Sequence, residues 1–125
     1  MSVQYTDFAL IASNLISGKL EIVWRVSASK AYYSAFHRAP KSVDICPDNS
    51  KLAMGSHERL SNRFWLHSDV KVRSVSYALN TMKKIRHIAD YDLDDKFHKN
   101  TAVKQISDLQ VFCEQVDKID AKFRL

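Results

Sequence analysis

Residues 70–91 read VKVRSVSYALNTMKKIRHIADY. Val72, Val75, Leu79, Met82, Arg86 and Ala89 recur at alternating spacings of three and four, which is the period of one face of an α-helix. The spacing predicts a long helix over residues 70–89. Five members of the stripe are apolar and the sixth, Arg86, is charged. A charge on an apolar seam is costly unless it is paired or faces a cleft, so Arg86 stands out within the helix that sets the fold.

On the C-terminal side, Asp90, Asp92, Asp94 and Asp95 break the pattern. A last helix is predicted over residues 101–123, with Val103, Ile106, Leu109, Cys113, Val116, Ile119 and Phe123 inward. On the N-terminal side, a short helix is predicted over residues 56–65 with Ser56 as its cap. Residues 40–55, PKSVDICPDNSKLAMG, hold both prolines and one of the two glycines and read as a loop. A broadly apolar helix over residues 20–39 carries Ile22, Val23, Val26, Ala31, Tyr33, Phe36 and His37, and a central position is expected for it. A first helix over residues 6–17 turns Phe8, Ile11, Ala12, Leu15 and Ile16 to one side, with Thr6 or Asp7 at its start and Gly18 at its end. There is no internal repeat or low-complexity tract. The expected architecture is all-α, an up-and-down bundle of four to five helices forming one domain over residues 1–125.

Composition agrees with this reading. Of 125 residues, 46% are hydrophobic and 26% charged, and Gly and Pro occur twice each. Sandwiches and barrels need more turn residues than that. The net charge of +5 suits an anionic partner such as nucleic acid, and equally a plain soluble surface. Cys46 and Cys113 form no CxxC and no zinc pattern, and Cys113 falls on an apolar stripe. A reducing cytoplasm is the simplest setting. The N-terminal MSVQYTDFAL lacks the basic and long apolar regions of a signal peptide. No apolar run approaches the roughly 20 residues of a membrane span. No metal and no cofactor is expected, because His57 and His67 lack supporting carboxylates.

Two segments carry a family resemblance. Residues 25–37 read RVSASKAYYSAFH, and residues 83–93 read KKIRHIADYDL. The first is similar to the Ser-Arg-Ala-Tyr-Tyr-Ala-Ala-Phe-His-like run of the HEPN family (higher eukaryotes and prokaryotes nucleotide-binding), with Lys30 in place of the usual Arg. The second resembles an Arg-x-x-Ala-Asp-Tyr segment of a subgroup of that family. The resemblance covers roughly residues 6–120. It implies a helical bundle, often a homodimer whose motif helices meet at a cleft. It also implies RNA as partner, in a toxin or anti-phage setting, often beside an antitoxin such as a small nucleotidyltransferase. Active members are metal-independent ribonucleases with an Arg-x(4–6)-His motif, and others are RNA-binding or partner-binding modules.

The resemblance places Arg86, His87 and Tyr91 at the catalytic position, with Tyr91 standing five residues after Arg86 where the motif has His. An unperturbed Tyr, with a pKa near ~10, is a poor base at pH 7. Three readings stay open for this segment. Arg86 pairs with Asp90 one turn on while Tyr91 packs on the last helix. Lys83, Lys84, Arg86 and His87 form a phosphate-binding edge. Arg86, His87 and Tyr91 form a divergent active site.

The remaining candidates each carry a bland alternative. Tyr32, Tyr33 and Phe36 suit base stacking or core. His37 reads as a core histidine with a backbone partner, or as a base lent to the cleft. Arg25 and Lys30 are expected to bridge to Asp90 or Asp92. His57, Arg59, Arg63, His67, Lys71 and Arg73, with Phe64 and Trp65 among them, form the densest basic stretch. They read as an RNA-binding edge led by Arg59 and Arg63, or as a solvated helix face.

Overall fold

The structure is a computed structural model that describes residues 2–124. Its elements in chain order are α1 (Tyr5–Leu15), α2 (Glu21–Arg38), a 3-10 helix (Ala39–Ile45), α3 (Ser56–Trp65), α4 (Val70–Tyr91) and α5 (Lys99–Phe123). The described residues contain no strand, and the protein is an all-α bundle of five α-helices. None of these helices is long and apolar enough to cross a membrane.

At the starts of α1 and α4 a side chain accepts from a free backbone N–H. Asp69 caps α4, its carboxylate accepting from Lys71 N at 2.8 Å and Val72 N at 3.2 Å. In α1 the cap residue is Gln4, ahead of the expected Thr6, and Asp7 reaches back to accept from Gln4 N at 2.7 Å. The residue preceding α3 is Gly55, so Ser56 lies inside that helix instead of capping it. The first half of the expected 40–55 loop winds into the 3-10 helix, and Cys46 to Gly55 remain irregular.

The α4 stripe lies in the core as its spacing requires. Val72, Val75, Leu79, Met82, Arg86 and Ala89 are all buried. α2 is central and packs on α1, α4 and α5. Its buried face is built from small residues, with Ala28, Ala31 and Ala35 fully buried. Short side chains let neighbouring backbones come close. The intervening hydroxyls are satisfied on α1: Ser27 Oγ donates to Ala12 O and Ser34 Oγ to Tyr5 O, each at 2.7 Å. Ile22 is correspondingly exposed, as are Ile11 on α1 and His37 at the end of α2. His37 is thus no core histidine.

α5 turns inward much of the expected face, with Leu109, Val116 and Ile119 buried and Ile106 and Cys113 packed against the core, but the buried seam is rotated toward Ala102, Gln105 and Phe112. Ala102, Gln105, Leu109, Phe112, Val116 and Ile119 are buried, while Val103 and Phe123 are exposed and Cys113 is half-buried. The seam runs through Gln105, whose amide donates to Met82 O at 2.8 Å and Ala28 O at 3.4 Å. A reading of apolar residues alone passes over a glutamine whose NH2 is bonded in this way, its Oε1 being buried without a partner. Both cysteines are free, and burial pushes the Cys46 thiol up to about 11 and raises that of Cys113.

Candidate functional site

Three arginines are buried: Arg25, Arg38 and Arg86. Arg25, from α2, closes the C-terminus of α4. Its guanidinium donates to Ile88 O and Ala89 O at 3.1 Å, to Asp92 O at 3.2 Å and to Asp95 O. Those carbonyls lie in the last turn of α4 or just after it, where Ile88 O also accepts from Asp92 N at 3.1 Å and Asp92 O from Asp95 N at 3.3 Å, and a cation there also opposes the helix dipole. The expected bridge to Asp92 therefore runs to its backbone and not to its carboxylate. Arg38 donates to Ser42 Oγ, Asp117 Oδ1 and Asp120 Oδ2, each at 2.9 Å, which ties α2 to α5.

Arg86 is bonded differently. Its Nε is buried without a hydrogen-bond partner. Its ion pair with Asp90 Oδ2 is 3.8 Å long, beyond hydrogen-bond reach. Asp90 also accepts from Ser29 Oγ on α2 at 3.1 Å. Three aromatic rings surround the guanidinium, those of Tyr32 at 5.4 Å, Tyr33 at 5.7 Å and Tyr91 at 5.9 Å. Such ring faces attract a cation but cannot accept its forked N–H donors in strong hydrogen bonds. The side chain is only 10% exposed, so water does little to replace them.

His57, in the first turn of α3, completes the cluster. Its Nδ1 lies 2.6 Å from the Tyr32 hydroxyl, and its ring stacks on Phe36 with centroids 4.3 Å apart. Burial pushes the Tyr32 phenol up to about 12, although the Arg86 charge opposes the shift. Burial lowers the His57 pKa, and the charges of Arg86, Lys83 and His37 lower it further. At pH 7 the pair is therefore a protonated phenol against a neutral imidazole. When the phenol donates to Nδ1, the imidazole keeps its own proton on Nε2. Arg86 and His57 together are a buried cation with spare donors beside a neutral proton-transfer group.

The other expected site residues fall in several places. Tyr33 is half-buried in the ring cluster, and exposed His37 stacks on Phe8 at 5.0 Å. Exposed Tyr91 lies against His87, with ring centroids 4.9 Å apart, so it does not pack into the core on α5. His87 sits on the exposed side of α4, away from buried Arg86. With Asn80, Lys83, Lys84 and Ile88 it lines a shallow depression. Lys30 is half-buried on α2, and Asp90 serves Arg86 and Ser29 in its place.

Arg59 and Arg63 hold the 46–55 segment. Arg59 donates to Asn49 O at 2.5 Å, Leu52 O at 2.7 Å and Met54 O at 3.3 Å. Arg63 donates to Pro47 O at 3.1 Å and Cys46 O at 2.9 Å. An irregular segment has no helix ladder, and these guanidinium groups satisfy its carbonyls instead. Arg59 and Arg63 are thus staples of the loop, and their donors are not turned to a ligand.

The sequence marks Tyr32 as a stacking or core ring and His57 as part of the basic stretch, but not the two as a pair. The contact crosses from α2 to α3 over 25 residues, and no local pattern announces it. Among the described residues no group of three or more His, Cys, Asp or Glu side chains is placed to hold a metal ion. No family model, no curated protein and no solved structure matches the chain.

Proposed function

We propose that this is a HEPN-like protein that binds RNA, with a backbone phosphate received by the Arg86 guanidinium. One observation carries the reading: of the three buried arginines, Arg86 has a buried donor with no partner. A phosphate oxygen pair matches a guanidinium fork and would supply the missing acceptors. The +5 net charge and the lysines beside Arg86 on α4 support an anionic ligand. The homodimer, and an antitoxin or nucleotidyltransferase as partner, enter from the same resemblance, and light scattering and co-purification test them.

The test is a fluorescence-polarisation titration of a single-stranded RNA 20-mer across a salt series. Arg86→Gln is expected to weaken binding at least about tenfold, the scale of one charge-assisted bidentate contact. It should also lower the salt slope by about 0.7, the contribution of one neutralised phosphate on a single strand. Wild-type affinity and slope in the variant would refute the assignment.

His57 favours a second reading, metal-independent RNA cleavage. In the tautomer whose Nδ1–H donates to the Tyr32 oxygen, His57 Nε2 keeps a free lone pair and is equipped to take a proton from a ribose 2′-OH. Incubation of RNA in EDTA tests it. Cleavage abolished by both His57→Gln and Arg86→Ala supports it, and intact RNA at every concentration of the wild type rejects it.

A further inference from the structure

α4 has a second regular stripe, on the side away from the core. Arg73, Tyr77, Asn80, Lys84, His87 and Tyr91 follow one another at spacings of four and three along residues 73–91. Arg73 is half-buried and the other five are exposed. At 1.5 Å per residue the stripe is about 27 Å long, room for several nucleotides. It mixes aromatic rings with cationic and amide groups, whereas a solvated helix face is ordinarily made of charges of both signs. α4 carries Lys71, Arg73, Lys83, Lys84 and Arg86 against a single carboxylate, Asp90, which is engaged with Arg86 and Ser29.

At the N-terminal end of the stripe, α3 and α4 enclose a groove lined by Glu58, Asn62, Trp65, Tyr77 and Asn80. Trp65 is 40% exposed and Tyr77 65% exposed, and the rings meet edge to face at 5.6 Å. The Arg73 guanidinium covers the Trp65 ring at 4.1 Å and holds it in place. Ser61 donates to Asn80 Oδ1 and Asn49 donates to Asn62 Oδ1, each at 3.0 Å. Both amides thereby keep their NH2 groups as donors at the groove. Asn80 also begins the next depression, the one lined by Lys83, Lys84, His87 and Ile88. Groove and depression thus adjoin at Asn80 along α4. Tyr91, at the far end, lies over Arg86.

We infer that the outer face of α4 is a track for a single RNA strand, with Trp65 and Tyr77 as a base-stacking platform at one end. The inference rests on the RNA reading above and adds where the bases go. Aromatic faces stack any base, and the amide NH2 groups meet acceptors on its edge. Lys83 and Lys84 follow the phosphates along the helix to its last turn, where the Tyr91 ring reaches over to Arg86. Charge decides against a second copy of the chain as occupant, since two faces of this sign repel.

The experiment compares two 12-nucleotide strands, oligo(A) and an abasic strand with the same backbone, on the full chain by fluorescence polarisation. Trp65→Ala and Tyr77→Ala are each expected to weaken oligo(A) binding about tenfold, the scale of one lost base stack. Both should leave the abasic strand unaffected, and Trp65→Phe should restore most of the loss. Arg86→Gln should weaken both strands. If both strands bind the wild type and the aromatic variants change neither, the stacking platform is refuted while the phosphate site stands. If Arg86→Gln changes neither strand while Trp65→Ala weakens oligo(A), the platform stands without the phosphate site. No binding of either strand by the wild type overturns both. A dimer that Trp65→Ala dissociates, seen by light scattering, would assign the face to a second copy and overturn the track.

Discussion

Replacing Arg25 and Arg86 separately by Met sets a structural buried cation against an unsatisfied one. Arg25→Met removes donors from Ile88 O, Ala89 O, Asp92 O and Asp95 O and leaves the end of α4 without its cap. Hydrogen bonds to a charged group contribute about 1.5–3 kcal/mol each. Water reaches some of the freed carbonyls, which holds the expected loss to about 3–5 kcal/mol, the range for breaking a buried charged network. Arg86→Met removes a 3.8 Å ion pair, worth less than about 1 kcal/mol, and the attraction of three ring faces, about 1–2 kcal/mol. Against these it relieves the desolvation of a cation whose Nε is unpaired. Its net effect is expected within about 1 kcal/mol of zero, on the stabilising side where Met fills the space among the rings. At about 2.1 cal/mol/K per residue of unfolding entropy, 1 kcal/mol moves the midpoint by about 4 °C in a chain of this size. Scanning calorimetry should therefore show Arg25→Met melting about 12–20 °C lower, and Arg86→Met within about 4 °C of the wild type. Equal losses in the two variants would refute the claim that Arg86 is held for a ligand.

Two further outcomes follow from local geometry. Because the folded state holds the His57 pKa below its ordinary value of 6.5, the unfolded chain binds the proton more readily. This contribution to stability is complete above pH 6.5 and is lost as pH falls through the depressed folded value; urea melts should show wild type losing more stability than His57→Gln between pH 7 and 5, and parallel losses would reject the shift. A Cβ added at Gly18 would lie 2.7 Å from Val23 Cγ1, on a stiff β-branched side chain, so Gly18→Ala should destabilise by about 1–3 kcal/mol in the same melts, and an unchanged midpoint would contradict the packing at that corner.

Much of the fold was legible in residues 70–91. A helix period is a local property, and all six members of the α4 stripe are buried where the spacing puts them. The short helix over 56–65 and the central place of the second helix were legible for the same reason. The face of α5 was legible at Ile106, Leu109, Cys113, Val116 and Ile119, but not at its polar and small members. Its seam passes through Gln105 and Ala102, and a polar group enters a core wherever the neighbouring helices supply its partners.

The candidate site divides in the same way. Periodicity alone marked Arg86 as a charge on an apolar seam, and the Arg86–Asp90 pair follows from one turn of helix. Only the tertiary structure decided what each arginine does. Arg25, Arg38, Arg59 and Arg63 are engaged by backbone carbonyls or side chains from elsewhere in the chain, while Arg86 is surrounded by rings. Only the tertiary structure brought His57 to Tyr32. The reason is physical: which residues turn inward on a helix depends on positions three and four apart, but the partner of a buried charge depends on which helix end or loop is packed against it.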